Sequence, residues 1–257
     1  MPWRPGYAKP NSACAINLGG RMSRLAVDVD PIALIRNTFL SDIPDPAHAV
    51  VLAEMGGAES IVCYLRDDFR TVSERDVRIL KEICKSNLNI RCNINADMIR
   101  KLMTIKPDIV TFVAPDSTSA SDPQPVDIET YSDTIANLTA DLRASDIISS
   151  VMLPCDANLV RLASKLEVDY IELDVRSYAE ADDLDAQIAE LENINTLVLA
   201  ANKLGMGVNI SGGLNQDNIK DLIKIDMLED IIVGKPLAAK ALAIGLEHAT
   251  RDFANLL

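Results

Sequence analysis

The chain is predicted to fold as a single-domain (β/α)8 barrel, and three observations carry that prediction. Eight short β-branched or apolar runs alternate with longer segments of helical periodicity. No long polar linker divides the 257 residues, a length at which barrels are routinely one domain. The turn after the first run, Asp28-Val29-Asp30-Pro31, lacks the glycines with which an open doubly wound sheet announces itself.

The predicted strands are Leu25–Asp30, Ser60–Leu65, Leu88–Ile94, Asp108–Val113, Ile148–Leu153, Tyr170–Asp174, Gly207–Ile210 and Asp230–Val233. Several of them end in Asp, Pro or Gly. Between them the spacing predicts helices over Glu74–Cys84, after the cap residue Ser73, and over Asp97–Lys106, Ile128–Arg143, Ala157–Glu167, Leu184–Leu204 and Asp217–Ile225. A last helix, Leu237–Leu256, follows Pro236. Residues 1–21, with three prolines, two adjacent glycines and no compact apolar stretch, read as a flexible extension ahead of a barrel over 22–257, and Met22 is a candidate natural start.

Composition narrows the function classes. A net charge of −13 argues against nucleic-acid binding, which needs a basic surface. No apolar run reaches the length of a membrane span. The five cysteines, Cys14, Cys63, Cys84, Cys92 and Cys155, form no CxxC pair, so a reduced, cytoplasmic protein is expected, with most thiols acting as small core hydrophobes. The two histidines, His48 and His248, both fall in predicted helices away from any strand end. A site at the strand ends must therefore work without imidazole, the usual proton carrier near neutral pH.

In a barrel, chemistry sits at the C-terminal ends of the strands. There the sequence offers Asp28 and Asp30, two apart and hence on one strand face; Tyr64, Arg66, Asp67, Asp68 and Arg70; Arg91 and Asn93; Asp116, Ser117 and Thr118; Cys155 and Asp156; Asp174 and Arg176; Asn209, Ser211, Gly212 and Gly213; and Gly234 and Lys235. The last two groups follow strands seven and eight, where barrels frequently bind phosphate. Ser211-Gly212-Gly213 exposes backbone N–H groups and a hydroxyl, Gly234 permits close approach, and Lys235 adds a cation. The plainer reading of these glycines is that they shape tight turns.

At these residues the chain resembles the pyridoxine 5'-phosphate synthase family, which closes the vitamin B6 ring from 3-amino-2-oxopropyl phosphate and 1-deoxyxylulose 5-phosphate. The stretches AVDVDPIALIRN, PDPAHAVVLAEMGGAESIVCYLRDDFRTVSERDVRIL, KPDIVTFVAP, YIELDVRSYAEA, GMGVNISGGLNQDN and IIVGKPL carry the resemblance across the whole barrel. The departures are concentrated at the site. Against the family's NxDHxAxxR, Asp28 stands for Asn and Pro31 for His, with Asp30 kept. Against HLREDRRH, Arg66 is kept while Tyr64 and Thr71 stand where histidines would. Arg91 aligns with the catalytic Glu, Gly212 with the His of NxGHG, and Gly234-Lys235 with a Gly-His pair. Reversing Glu to Arg cannot leave the original base in place.

The resemblance thus implies a retained binding scaffold with exchanged chemistry. The sequence leaves several readings of that exchange open. In an enzyme of altered activity on a small phosphorylated or anionic metabolite, Asp28 or Asp30 is the base, Tyr64 an acid, and Arg66, Arg91 and Lys235 receive anionic groups. Lys235 is also a Schiff-base candidate. Arg91 alternatively forms a structural ion pair with Asp28. In a non-catalytic paralogue the same barrel binds a ligand or a partner, and a weakly active synthase is a further reading. The family implies a homo-oligomer, and hetero-assembly with a genuine synthase is an alternative. No cofactor or metal is called for, although Asp28, Asp30 and Asp174 are the carboxylates a magnesium ion would use. For Cys155, a buried thiol is favoured over a nucleophile because no histidine is placed to activate it.

Overall fold

A computed structural model describes residues 23–114 and 122–257. The expected extension over 1–21, Cys14, and the strand-end candidates Asp116, Ser117 and Thr118 lie outside the described residues.

Eight parallel strands pair in sequence order, and β8 closes on β1. They are β1 (Arg24–Asp28), β2 (Ser60–Leu65), β3 (Asn87–Asn93), β4 (Ile109–Val113), β5 (Ile148–Pro154), β6 (Tyr170–Asp174), β7 (Gly207–Ser211) and β8 (Asp230–Val233). The helices are α1 (Asp30–Thr38), α2 (Pro46–Gly56), α3 (Glu74–Ile83), α4 (Ala96–Ile105), α5 (Ser132–Ala144), α6 (Ala157–Lys165), α7 (Arg176–Ala179), α8 (Leu184–Lys203), α9 (Ile219–Leu222), α10 (Lys235–Ile244) and α11 (Leu246–Ala254). Side-chain caps start many of them. Asp45, Asn95, Asp156 and Asp183 each accept from a backbone N–H of the first turn, and Ser73 with Asp76 forms a reciprocal capping box.

Alternation along the strands makes two cores. Outward residues such as Leu25, Val27, Ile61, Cys63, Ile90, Phe112 and Ile171 pack under the helices in one large apolar cluster. The inward rows are far more polar than the Val/Ile/Leu filling usual in such barrels. Small apolar groups, Ala26–Val62–Ile232 and Tyr64–Val113–Met152, are interleaved with buried Arg24, Asn89, Arg91, Thr111, Ser150, Glu172, Asn209 and Asp230. At the N-terminal mouth Arg24 Nε donates to Asp230 Oδ1 at 2.7 Å and its Nη2 to Glu229 Oε2 at 3.2 Å. The same Glu229 accepts from the Tyr170 hydroxyl, 3.0 Å from Oε2. Arg24, Asp230, Glu229 and Tyr170 are tolerated there because they are bonded to one another.

Four of the departures from the expected boundaries have a local origin. The first strand stops at Asp28 rather than Asp30, because Pro31 presets the first turn of α1. Asp28 and Asp30 therefore do not share a strand face. The single helix expected over Leu237–Leu256 is broken at Gly245, whose φ of 84° lies in the region that glycine alone enters readily. The Asp217–Ile225 helix shrinks to Ile219–Leu222. Asn215 Oδ1 takes the N–H groups of Asp217 and Asn218 in a capping turn, and regular helix begins only at Ile219. In the same way Asp127 accepts from the Thr130 N–H and hydroxyl, and α5 begins only at Ser132. Both histidines lie exposed in helices, His48 in α2 and His248 in α11.

Candidate active site

The floor of the C-terminal mouth is built around one buried cation. Arg91 projects inward from β3 and is 1% exposed. Its Nη1 donates to Asp28 Oδ2 of β1 at 2.8 Å, and its Nη2 to Glu172 Oε1 of β6 at 2.6 Å. The Ser211 hydroxyl of β7 donates to the same Glu172 oxygen at 2.5 Å. Four strands are thus joined by one charged network. The Arg91–Asp28 ion pair is present, and the network also holds Glu172, which sequence reasoning did not single out. The available signal was its inward parity, two residues before Asp174 in the YIELD run. Burial raises the Asp28 carboxyl, with the Arg91 charge opposing it. Arg91 is held firmly cationic by its two carboxylates against the desolvation that opposes them.

Above this floor opens a cavity of about 360 Å³. It gathers Asp28, Arg91, Arg176, Ser211, Gly212, Gly213, Gly234 and Lys235 from the strand-end candidates, and adds Glu180, Asp122 and Pro123. Gly212 sits at φ 105°, and a Cβ there would lie 2.6 Å from Asp174 Oδ1 and 2.9 Å from Arg176 Cγ. The turn is therefore restricted to glycine by backbone and by space. Lys235 opens α10 behind Gly234 and reaches Asp122 Oδ2 at 2.5 Å, with both side chains about half exposed. A half-exposed ammonium held by a carboxylate is equipped to receive an anion by exchange. A Schiff-base amine would need a desolvated or charge-depressed setting. Arg176 is paired with Asp174, and its Nη2 also donates to Pro123 O and Gln124 Oε1 at 3.3 and 3.2 Å.

The other predicted residues lie apart from the cavity lining. Asp30 is buried beside β2, where its Oδ1 accepts from the Tyr64 backbone N–H at 3.0 Å while Oδ2 has no partner. The Tyr64 hydroxyl donates to Asn93 Oδ1, and burial pushes its pKa upward. Arg66 stacks 5.2 Å from the Tyr64 ring centroid and forks onto Asp68 through two 2.8 Å bonds, an arrangement that holds the Asp68 carboxyl well below its usual range. Asn209 lies deeper, fully buried, its Oδ1 accepting from the Asp230 N–H at 3.1 Å. The three carboxylates considered for magnesium are separately engaged: Asp28 with Arg91, Asp174 with Arg176, and Asp30 with Tyr64. Among the described residues no group of three His, Cys, Asp or Glu side chains converges for a metal. Cys155 lies with Sγ 3.4 Å from the Asp174 carbonyl, and burial pushes its thiol up to about 12. No helix among the described residues is long and apolar enough to cross a membrane.

Asp30 gives a pH prediction. Burial, reinforced by the Asp28 charge, holds its carboxyl well above the usual range. The native state then keeps a proton that the unfolded chain releases. That contribution to stability is complete below the unfolded value of about 3.9 and is lost as pH rises through the folded value. Asp30→Asn, which cannot ionise, is expected to reduce the fall in Tm between about pH 4 and pH 7. A slope equal to that of the wild type would show that Asp30 does not titrate across this range.

Fold and site together define a single-domain (β/α)8 protein with a polar, charge-lined cavity at the C-terminal ends of its strands. The family model described as pyridoxal phosphate biosynthesis protein PdxJ matches residues 25–257, and the chain belongs to that family. It is 33% identical over 236 residues to the pyridoxine 5'-phosphate synthase of Geotalea daltonii, covering 92% of this chain and 99% of that one. The enzyme of the same name from Geobacter sulfurreducens is 31% identical with the same coverage. Among solved structures, KGPDC from Streptococcus mutans superposes with a TM-score of 0.60 at 16% identity, covering 92% of this chain and 97% of that one. A thiamine phosphate pyrophosphorylase from Pyrococcus furiosus superposes at 0.58 and 15%, covering 91% and 95%. These two likenesses establish the barrel alone.

Proposed function

We propose that this chain is a divergent family member that binds a small phosphorylated metabolite at the β7–β8 end of the mouth and does not close the pyridoxine ring. The observation that carries this reading is Arg91. It stands where the family resemblance puts the catalytic Glu, and it is buried between Asp28 and Glu172 rather than available as a base. Gly212, Gly213, Gly234 and Lys235, gathered at the same cavity, support the anion-binding half of the proposal. Of the proton-transfer candidates, Asp28 alone lines the cavity, and its raised pKa suits a general acid or base. A catalysed reaction on the bound metabolite would therefore run through Asp28.

A second reading, a barrel that binds without turnover, draws support from the same Arg91–Asp28 bond, which occupies the carboxylate proposed as acid or base. The protein incubated with 3-amino-2-oxopropyl phosphate and 1-deoxyxylulose 5-phosphate is expected to yield no pyridoxine 5'-phosphate. A panel of phosphorylated metabolites is expected to raise its Tm, and Lys235→Ala to abolish that shift. Robust product formation would overturn the loss of ring closure. Thermal shifts that persist in Lys235→Ala would overturn the anion site. A metabolite converted by the wild type and bound but not converted by Asp28→Asn would decide for catalysis over binding alone.

A further inference from the structure

The cations lining the cavity are already occupied by carboxylates, but the pairs differ greatly in strength. Arg91 is bound to Asp28 and Glu172 where side-chain exposure is 8% or less. Arg176 is bound to Asp174 two positions away on its own chain segment, with exposures of 26% and 12%. The Lys235–Asp122 pair joins opposite sides of the mouth, 113 positions apart, with exposures of 54% and 38%. Its acidic partner is held in place from the other side. The backbone of the Asp122 segment is fastened by Arg176 Nη2 to Pro123 O and by two backbone bonds, Ala114 N–H to Gln124 O and Val126 N–H to Met152 O, both 2.9 Å.

Opening a buried pair leaves a charge stranded in low dielectric, whereas opening an exposed one costs about 0.2–1 kcal/mol, a factor of about 1.4 to five. Lys235–Asp122 is therefore the pair at this cavity that a ligand exchanges most cheaply. We propose that Asp122 is a built-in competitor for the anion site: its carboxylate holds Lys235 until the anionic group of the ligand takes its place. This rests on the anion-binding reading above and adds to it a residue that sets affinity. A ligand carboxylate merely replaces like with like, so its exchange yields little. A phosphate dianion brings more charge to the ammonium, and its exchange is favourable. Asp122 thereby raises the threshold for anions and favours phosphorylated compounds over simple carboxylates.

The test is titration of inorganic phosphate into the full chain by calorimetry, using the wild type, Asp122→Asn, Lys235→Met and the double variant. Asp122→Asn is expected to tighten phosphate binding on the order of fivefold. The same substitution in the Lys235→Met background is expected to change it little. Phosphate binding that is equal or weaker in Asp122→Asn would overturn the competitor role. A gain that persists in the Lys235→Met background would overturn it too, because Asp122 would then act through general charge and not at Lys235. Binding to none of the four proteins would instead overturn the anion-site reading itself.

Discussion

Replacing Arg91 with methionine is expected to destabilise the barrel by about 3–5 kcal/mol, because it leaves two buried carboxylates without their counter-charge. For a domain of this size that corresponds to a loss of Tm on the order of 10 °C. Asp28 is 8% exposed and Glu172 is fully buried, so neither gains hydration when the guanidinium is removed. Glu172 would keep one bond, from the Ser211 hydroxyl, and Asp28 one, from the Asp30 backbone N–H at 2.9 Å. The effect should be strongly non-additive. Arg91→Met combined with Glu172→Gln, which removes one of the stranded charges, is expected to be more stable than Arg91→Met alone. Calorimetric Tm values for the two single variants and the double variant check this. A loss below about 1 kcal/mol in Arg91→Met would mean that the network contributes no more than a surface pair. The same reasoning bears on the lost chemistry. Arg91→Glu, which would restore the residue that the family resemblance places here, would put a third carboxylate beside Asp28 and Glu172. The single reversion should therefore harm the fold and not recover synthase activity. Recovering a base at this position requires changing its partners as well.

The barrel was legible in the sequence because its outer core obeys a simple period. Val27, Cys63, Ile90 and Ile171 recur at alternate positions of short runs, and helices with Asp, Asn or Ser at their starts separate those runs. The β7–β8 part of the mouth was legible for a related reason: Gly212, Gly213, Gly234 and Lys235 follow strands seven and eight, and strand order alone fixes where those loops emerge. The Arg91–Asp28 pair was anticipated as an alternative, but most pairings between partners distant in sequence were not. Glu172 lies 81 positions from Arg91, and Asp122 lies 113 from Lys235. No local pattern announces such pairs. Asp30 was misplaced because the alternation rule was extended one turn too far, past Val29 into a helix that Pro31 had already begun. Arg66 and Tyr64 were correctly read as strand-end residues, yet they turn to each other, to Asp68 and to Asn93. Inward parity places a residue in the right layer without saying which neighbour it will choose.

Gly207→Ala is expected to cost about 3 kcal/mol, the upper end of the range for overpacking a filled core, with a Tm loss on the order of 10 °C. Nothing in the sequence marks this glycine as more than a small strand-starting residue. In the structure a Cβ at position 207 would stand 2.0 Å from Cε1 and 2.5 Å from Cδ1 of Tyr170, its direct partner across the β6–β7 pair. The ring cannot swing aside. It packs on Ile109 and Ile148, and its hydroxyl is tied to Glu229, which also receives Arg24. Relief must come from shifting strand β7 or from breaking the ionic closure of the N-terminal mouth, and both are costly. Trimming the ring should therefore rescue the fold: Gly207→Ala with Tyr170→Val is expected to be more stable than Gly207→Ala alone, whereas Tyr170→Phe, which keeps the ring, should not help. A Gly207→Ala protein within about 0.5 kcal/mol of wild type would show that β7 yields freely. The substitution lies at the end of the barrel opposite the cavity, where residues act on stability and not on the site. Phosphate should consequently raise the Tm of Gly207→Ala by as much as it raises that of the wild type. Arg91→Met, which removes the cation from the cavity floor itself, should alter that shift as well as the Tm. Comparing the two variants separates damage to the scaffold from damage to the site.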